Sequence, residues 1–178
     1  MRKRVFNSFA LFEPSGLVIF DRDGTLVENI KGMSRVSDIR WKLGILDLLR
    51  VLTDKKYVIA IATNQGAVEE GLVTLTQVEE IHEKIVADAK ESGSTIWAIT
   101  YCPHSKLSSG QACSCRKPKS GMLEALISDF GNEKLPKVFV GDSETDRKAA
   151  LNSKLQIDYA MIEDFLDPTS SARERFFR

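Results

Sequence analysis

Leu17-Val18-Ile19-Phe20-Asp21-Arg22-Asp23-Gly24-Thr25 is an apolar run that ends on two carboxylates and a glycine. The four apolar residues read as a buried strand. Residues two apart in an extended chain project to one side, so Asp21 and Asp23 can face one reaction centre. Gly24 lets the backbone turn away sharply. Such a pair suits phosphoryl transfer, one carboxylate attacking phosphorus and holding a metal while its neighbour protonates the leaving oxygen. The same residues also describe a plain strand followed by an acidic turn, and the rest of the chain bears on the choice.

Outward from this stretch, apolar runs alternate with helical patterns. Strands are expected at Leu17 to Phe20, Tyr57 to Thr63, Ile96 to Cys102, Lys137 to Gly141 and Ile157 to Ala160. Helices are expected at Leu43 to Lys55, Thr76 to Ser92, Gly121 to Phe130 and Thr145 to Ser153. This order implies an α/β three-layer sandwich, a parallel sheet with helices on both faces, whose site lies at the carboxyl ends of the strands. Asp21, Thr63, Cys102 and Asp142 all fall at such ends. Past Ala150, Asp158-Tyr159-Ala160 and Glu163-Asp164-Phe165 read as a last strand and short helix without a catalytic part. No repeat or low-complexity linker divides the chain, so residues 1–178 are expected to form a single domain.

The 178 residues are 43% apolar, enough for one domain's core, and basic and acidic residues balance at 25 each. With no net charge to attract a polyanion, phosphate binding must be local, and nucleic acid is not an expected partner. No apolar run is long enough to span a membrane. Met1-Arg2-Lys3-Arg4 precedes an apolar part too short and too polar for a signal peptide, so it reads as an arm packed on the domain. The expected location is the cytoplasm.

Three more motifs sit at strand ends. Ala62-Thr63-Asn64-Gln65-Gly66 offers a hydroxyl and free N–H groups that can cradle phosphoryl oxygens, although it is also ordinary turn chemistry. Arg116-Lys117-Pro118 is a cationic pair held extended by proline, and equally a solvated basic turn. In Gly141-Asp142-Ser143-Glu144-Thr145-Asp146, both aspartates can reach one magnesium if a helix starts between them, while Asp142 or Ser143 could instead serve as its N-cap.

In this order the four motifs, spanning Leu17 to Ala150, resemble the haloacid dehalogenase superfamily of phosphatases. The resemblance implies a two-step mechanism in which Asp21 forms an aspartyl-phosphate and Asp23 protonates the departing oxygen, then activates the hydrolytic water. It implies that Thr63, with Asn64, and Lys117 neutralise the phosphoryl oxygens. Mg2+ would be held by Asp21, the carbonyl of Asp23 and Asp142, with Asp146 in support.

All three cysteines and one of the two histidines fall between residues 102 and 115. Cys102, His104, Cys113 and Cys115 make a full tetrahedral set for Zn2+, with no open position for water, so the metal reads as structural. The odd cysteine count argues against a disulfide framework and for a reducing compartment. Zinc would fix the adjoining Arg116 and Lys117, which Ser108-Ser109-Gly110 would otherwise leave mobile. His82, in a polar helix, reads as solvated or packed rather than as a ligand. Cys-Pro-His and Cys-x-Cys-Arg-Lys-Pro-Lys-x-Gly-Met resemble one subgroup, the zinc-containing heptose bisphosphate and histidinol-phosphate phosphatases, and imply a substrate contact for Arg116. The chain departs from the heptose enzymes at Gly66-Ala67-Val68 and at Glu70, where they usually read Ser-Gly-Ile and an arginine.

The stretch from Asp21 to Thr63 is too short for a large cap as well as a helix. Lys31 to Trp41 is left as a flap offering Lys31, Arg35, Arg40 and Trp41, facing Lys106 and Arg116 on the zinc loop. A shallow site rimmed by cations results, suited to a small phosphorylated metabolite. A sugar bisphosphate leads, histidinol phosphate follows, and a polynucleotide 3′-phosphate is the alternative of a different class.

Overall fold

A computed structural model describes residues 1–10, 12–106 and 113–177 of the chain, the side chain of Arg175 excepted; the Ser108-Ser109-Gly110 segment lies outside the described residues. The expected strands appear as β2 (Gly16–Phe20), β3 (Tyr57–Asn64), β4 (Ile96–Cys102), β5 (Lys137–Gly141) and β6 (Asp158–Met161). They share one sheet with β1 (Arg2–Val5), in the order β1-β4-β3-β2-β5-β6. Pairing is parallel from β4 through to β6.

Side chains along β2 alternate between two cores, as the pleat requires. Val18 and Phe20 join Ile59 and Ile61 of β3 under α1 (Ile45–Asp54), α2 (Leu75–Glu91) and α5 (Ile162–Leu166). Leu17 and Ile19 join Val58, Ala60 and Ala62 on the opposite face, against α3 (Gly121–Phe130). On α1 the buried residues are Ile45, Leu48, Leu49 and Leu52, the spacing of a helix with one apolar stripe. A capping box between Thr74 and Gln77 starts α2. No helix among the described residues is long and apolar enough to cross a membrane.

The expected strands pair in parallel, and one antiparallel strand is added at the edge of the sheet. The N-terminal arm is the strand β1, antiparallel to β4, with Arg2 opposite Tyr101 and Val5 opposite Ala98. Its basic residues alternate across the sheet: Arg2 and Arg4 pair with Glu79 and Glu83 on α2, and Lys3 pairs with Asp129 on α3. Charged side chains on an edge strand also discourage pairing with other chains. A further helix, α6 (Ser171–Phe176), was not anticipated; it brings Phe176 within 4.9 Å of the Tyr57 ring.

Candidate active site

Registration of the strands sets the site. Phe20 lies level with Ile61 and Val140, so the residues that follow all emerge at one edge of the sheet. The N–H of Asp21 bonds the Val140 carbonyl at 2.9 Å, fixing the first residue beyond β2. Gly24 follows at φ +84°, a conformation costly for other residues, and a Cβ there would lie 2.0 Å from Asp142 Oδ2. Turn geometry and close approach therefore both demand the glycine.

At the floor, Lys117 Nζ lies 2.7 Å from Asp21 Oδ1 and 2.7 Å from Asp146 Oδ1. Burial pushes the Asp21 carboxyl up to about 7; Lys117 opposes this, while Asp146 and Asp23 reinforce it. Burial alone would lower the Lys117 ammonium, but Asp21 and Asp146 hold it above its usual value. Asp142 is raised as well, first by burial and then by Asp146.

The short helix α4 (Glu144–Leu151) is capped by Ser143, whose Oγ accepts from the Asp146 N–H at 3.3 Å. The same hydroxyl donates to Asp146 Oδ2 at 2.6 Å. Ser143 thus takes the cap and leaves Asp142 to the centre. Ligand oxygens of Asp21, Asp142 and Asp146 lie within 4.8 Å of one another. Three carboxylates against one buried ammonium leave the centre short of positive charge, and hard oxygen donors of this kind suit Mg2+.

Asp23 faces a different set of partners. Arg22 grips it through Nε and Nη2, with contacts of 3.1 and 3.0 Å to Oδ1 and 2.9 Å to Oδ2. Gln65 donates to Asp23 Oδ2 at 2.8 Å and to Thr63 Oγ1 at 2.9 Å. Thr63 is buried at the cavity wall. Asn64, expected to face phosphate, has its amide engaged elsewhere: Oδ1 accepts from the Lys117 N–H at 3.0 Å and Nδ2 donates to the Lys117 carbonyl at 3.1 Å. Its side chain clamps the main chain that carries the lysine.

Beside this edge of the sheet, the Cys102, Cys113 and Cys115 sulfurs and His104 Nδ1 also lie within 4.8 Å of one another. Three thiols and an imidazole are a soft donor set that fits Zn2+. Burial would raise the Cys113 thiol, but the Cys115 thiol, the Arg116 N–H and the Cys102 thiol outweigh it and bring it down to about 6. The cluster is joined to the end of β3, since Asn64 pairs with Cys102 and the Gln65 N–H bonds the Cys102 carbonyl at 2.7 Å. Arg116 is tied to it twice, its N–H to Cys113 Sγ at 3.3 Å and its Nη1 to the His104 carbonyl at 2.6 Å. Gly66 leaves room for that guanidinium, as a Cβ there would stand 2.9 Å from Arg116 Nη1.

Asp21, Asp23, Thr63, Lys117, Asp142 and Asp146 line a cavity of about 580 Å³, with Lys31, Lys106, Arg116 and Lys119 on its wall. The flap contributes less than its composition suggested. Arg40 Nη1 bonds the flap's own carbonyls, Ser37 at 2.6 Å and Ile39 at 2.9 Å. Trp41 donates to Asp88 on α2 at 3.0 Å. Neither they nor Arg35 line the cavity. Arg22, Gln65 and Lys119 were not singled out from the sequence, though all three lie inside its motifs.

Residues 16–166 match the family described as polynucleotide kinase 3 phosphatase. The D-glycero-beta-D-manno-heptose-1,7-bisphosphate 7-phosphatase of Pseudomonas putida is 34% identical over 137 residues, covering 76% of each chain. That of Haemophilus influenzae is 30% identical over 144 residues, covering 79% of this chain and 78% of its own. Among solved structures, the D,D-heptose 1.7-bisphosphate phosphatase from B. bronchiseptica, complexed with magnesium and phosphate, superposes with a TM-score of 0.72 at 27% identity. That likeness covers 80% of this chain and 78% of the other.

Proposed function

The chain belongs to the polynucleotide kinase 3 phosphatase family within the haloacid dehalogenase superfamily, and we propose that it is a Mg2+-dependent sugar bisphosphate phosphatase working through an aspartyl-phosphate. A heptose 1,7-bisphosphate is the leading substrate, the named substrate of relatives covering three quarters of the chain. The carrying observation is Asp21 at the floor of a cavity with Lys117 at 2.7 Å and further cations on the wall. We read residues 1–178 as one phosphatase domain acting in the cytoplasm.

In the first step an Asp21 oxygen attacks phosphorus, the bond to the leaving oxygen breaks, and Asp23 gives that oxygen a proton. In the second, Asp23 takes a proton from water, the water oxygen attacks phosphorus, and the bond to Asp21 breaks to release phosphate. Thr63 and Lys117 neutralise the phosphoryl oxygens, and Asn64 holds Lys117 in place. Magnesium, held by Asp21, the Asp23 carbonyl and Asp142 with Asp146 in support, would keep Asp21 ionised and offset phosphoryl charge. Zinc on Cys102, His104, Cys113 and Cys115 would brace Arg116.

Cavity-wall cations give a substrate with two phosphates a second foothold. Charge-assisted or bidentate arginine contacts are worth about 1.5–3 kcal/mol, a ten- to hundredfold gain in affinity. A sugar bisphosphate should therefore show higher kcat/KM than its monophosphate, with Arg116→Ala narrowing the gap. Equal efficiency on both, or preference for histidinol phosphate or a 3′-phosphorylated oligonucleotide in a hydrolysis screen, would remove the bisphosphate reading.

The bonds from Arg116 to Cys113 and His104 carry a second expectation. Cys113→Ala should weaken zinc binding and raise KM about tenfold, because Arg116 loses its anchor. Magnesium affinity should change little, since its donors sit on other strand ends. Metal analysis beside steady-state kinetics checks this; loss of zinc with wild-type KM and thermal stability would refute the coupling.

A further inference from the structure

Arg22 stands between the two catalytic carboxylates in sequence, yet its side chain turns inward and is 1% exposed, a rare place for a guanidinium. Two of its nitrogens grip Asp23. The third, Nη1, lies 3.2 Å from Nε2 of His82 in the middle of α2. His82 is 2% exposed and meets the Tyr101 ring edge-on at 5.1 Å. Burial, then the charges of Arg22 and Arg4, push its imidazole well below its usual value, so the ring is neutral and Nε2 accepts from Nη1. A neutral acceptor satisfies the buried cation without adding a negative charge that would compete with Asp23 for it.

A guanidinium on a long flexible stem holds a carboxylate in one orientation only if its own plane is fixed. That plane is pinned here at both ends. Asp23 is on one side, and on the other is a helix whose neighbouring residues Val78, Ile81 and Ile85 are buried in the core. Without the imidazole, Nη1 would be left buried without an acceptor, and the guanidinium would shift and take Asp23 with it.

We propose that His82 is a positioning residue for the reaction: by accepting from Arg22 Nη1 it fixes the fork that holds the Asp23 carboxylate where a proton must be delivered and recovered. No proton passes to His82 itself. The inference rests on the phosphatase reading and on Asp23 as the acid–base group, and it reaches a residue sixty positions along the chain from Arg22.

The test compares two leaving groups. A sugar phosphate expels an alkoxide that needs Asp23's proton, whereas a nitrophenyl phosphate expels a phenolate that leaves without one. His82→Leu should lower kcat on the sugar phosphate roughly ten- to hundredfold with KM nearly unchanged, the cost of a small misplacement of a catalytic group. On the aryl ester the first step should keep its wild-type rate while hydrolysis of the aspartyl-phosphate slows, so a burst of nitrophenolate grows. His82→Gln, whose amide oxygen can accept from Nη1, should recover most of the loss. If His82→Leu does not fold, His82→Asn, with a shorter amide, carries the same comparison; zinc content and thermal unfolding are measured for each variant. Undiminished turnover of the sugar phosphate, or equal slowing of the first step on both substrates in a folded, zinc-loaded variant, would overturn the proposal. Wild-type protein that hydrolyses neither substrate would instead overturn the phosphatase reading, and this inference with it.

Discussion

Asp21→Asn should abolish turnover, lowering kcat by about four orders of magnitude or more, because no other carboxylate at the centre can take its place as nucleophile. Asp142 and Asp146 share the site, but Asp146 is bound to Lys117 and Ser143. The same variant should show a second effect, on stability. The Asp21 carboxyl is raised from 3.8 to about 7, so between those values the folded state keeps a proton that the unfolded state has lost. Stability of the metal-free wild type should therefore fall as pH rises through that window. Asp21→Asn has no such group and should give a flatter profile. Denaturant unfolding at several pH values, with chelator present, makes the comparison; parallel profiles would refute the burial argument.

Lys117→Met should be nearly as severe. The ammonium is buried, with ion pairs of 2.7 Å to Asp21 and Asp146, and among the described residues it is the cation that touches both. Removing a preorganised donor to developing phosphoryl charge costs about a hundred- to a thousandfold in kcat. Removing one partner of a buried ion pair also costs about 3–5 kcal/mol of stability, since the remaining charges lose their compensation. Magnesium would supply part of that compensation, so the fall in Tm should be smaller with magnesium than with chelator. A variant with unchanged kcat, or with the same Tm deficit in both conditions, would contradict the shared electrostatics assigned to this centre.

How legible all this was in the sequence follows from the range of the forces involved. Strands β2 to β5 could be read because each is a largely apolar run closed by a turn, and parallel pairing then brings Asp21, Thr63 and Asp142 to one edge. The Cys/His group that could hold zinc was visible because cysteine and histidine cluster along the chain. What escaped depends on partners distant in sequence. Arg2-Lys3-Arg4 has no apolar pattern, and it becomes a strand through acids on α2 and α3. Arg40 and Trp41 looked available to a substrate, but local carbonyls and Asp88 hold them. Asn64 sits in a stretch whose composition suggested phosphate binding, yet its amide is spent on the main chain of Lys117. His82 could be read only as solvated or packed rather than ligating, and its bond to Arg22 joins two residues that no local pattern connects.

Locating the covalent phosphate tests the account most directly. Wild-type protein mixed with magnesium and a sugar bisphosphate, quenched in acid within a single turnover and digested, should yield one phosphorylated peptide, with the phosphoryl group on Asp21 by mass spectrometry. The signal should vanish in Asp21→Asn and accumulate when Asp23 is replaced by Asn and an aryl phosphate is the substrate. A phosphoryl group on any other residue, or its complete absence while substrate is being hydrolysed, would contradict the mechanism drawn from this site.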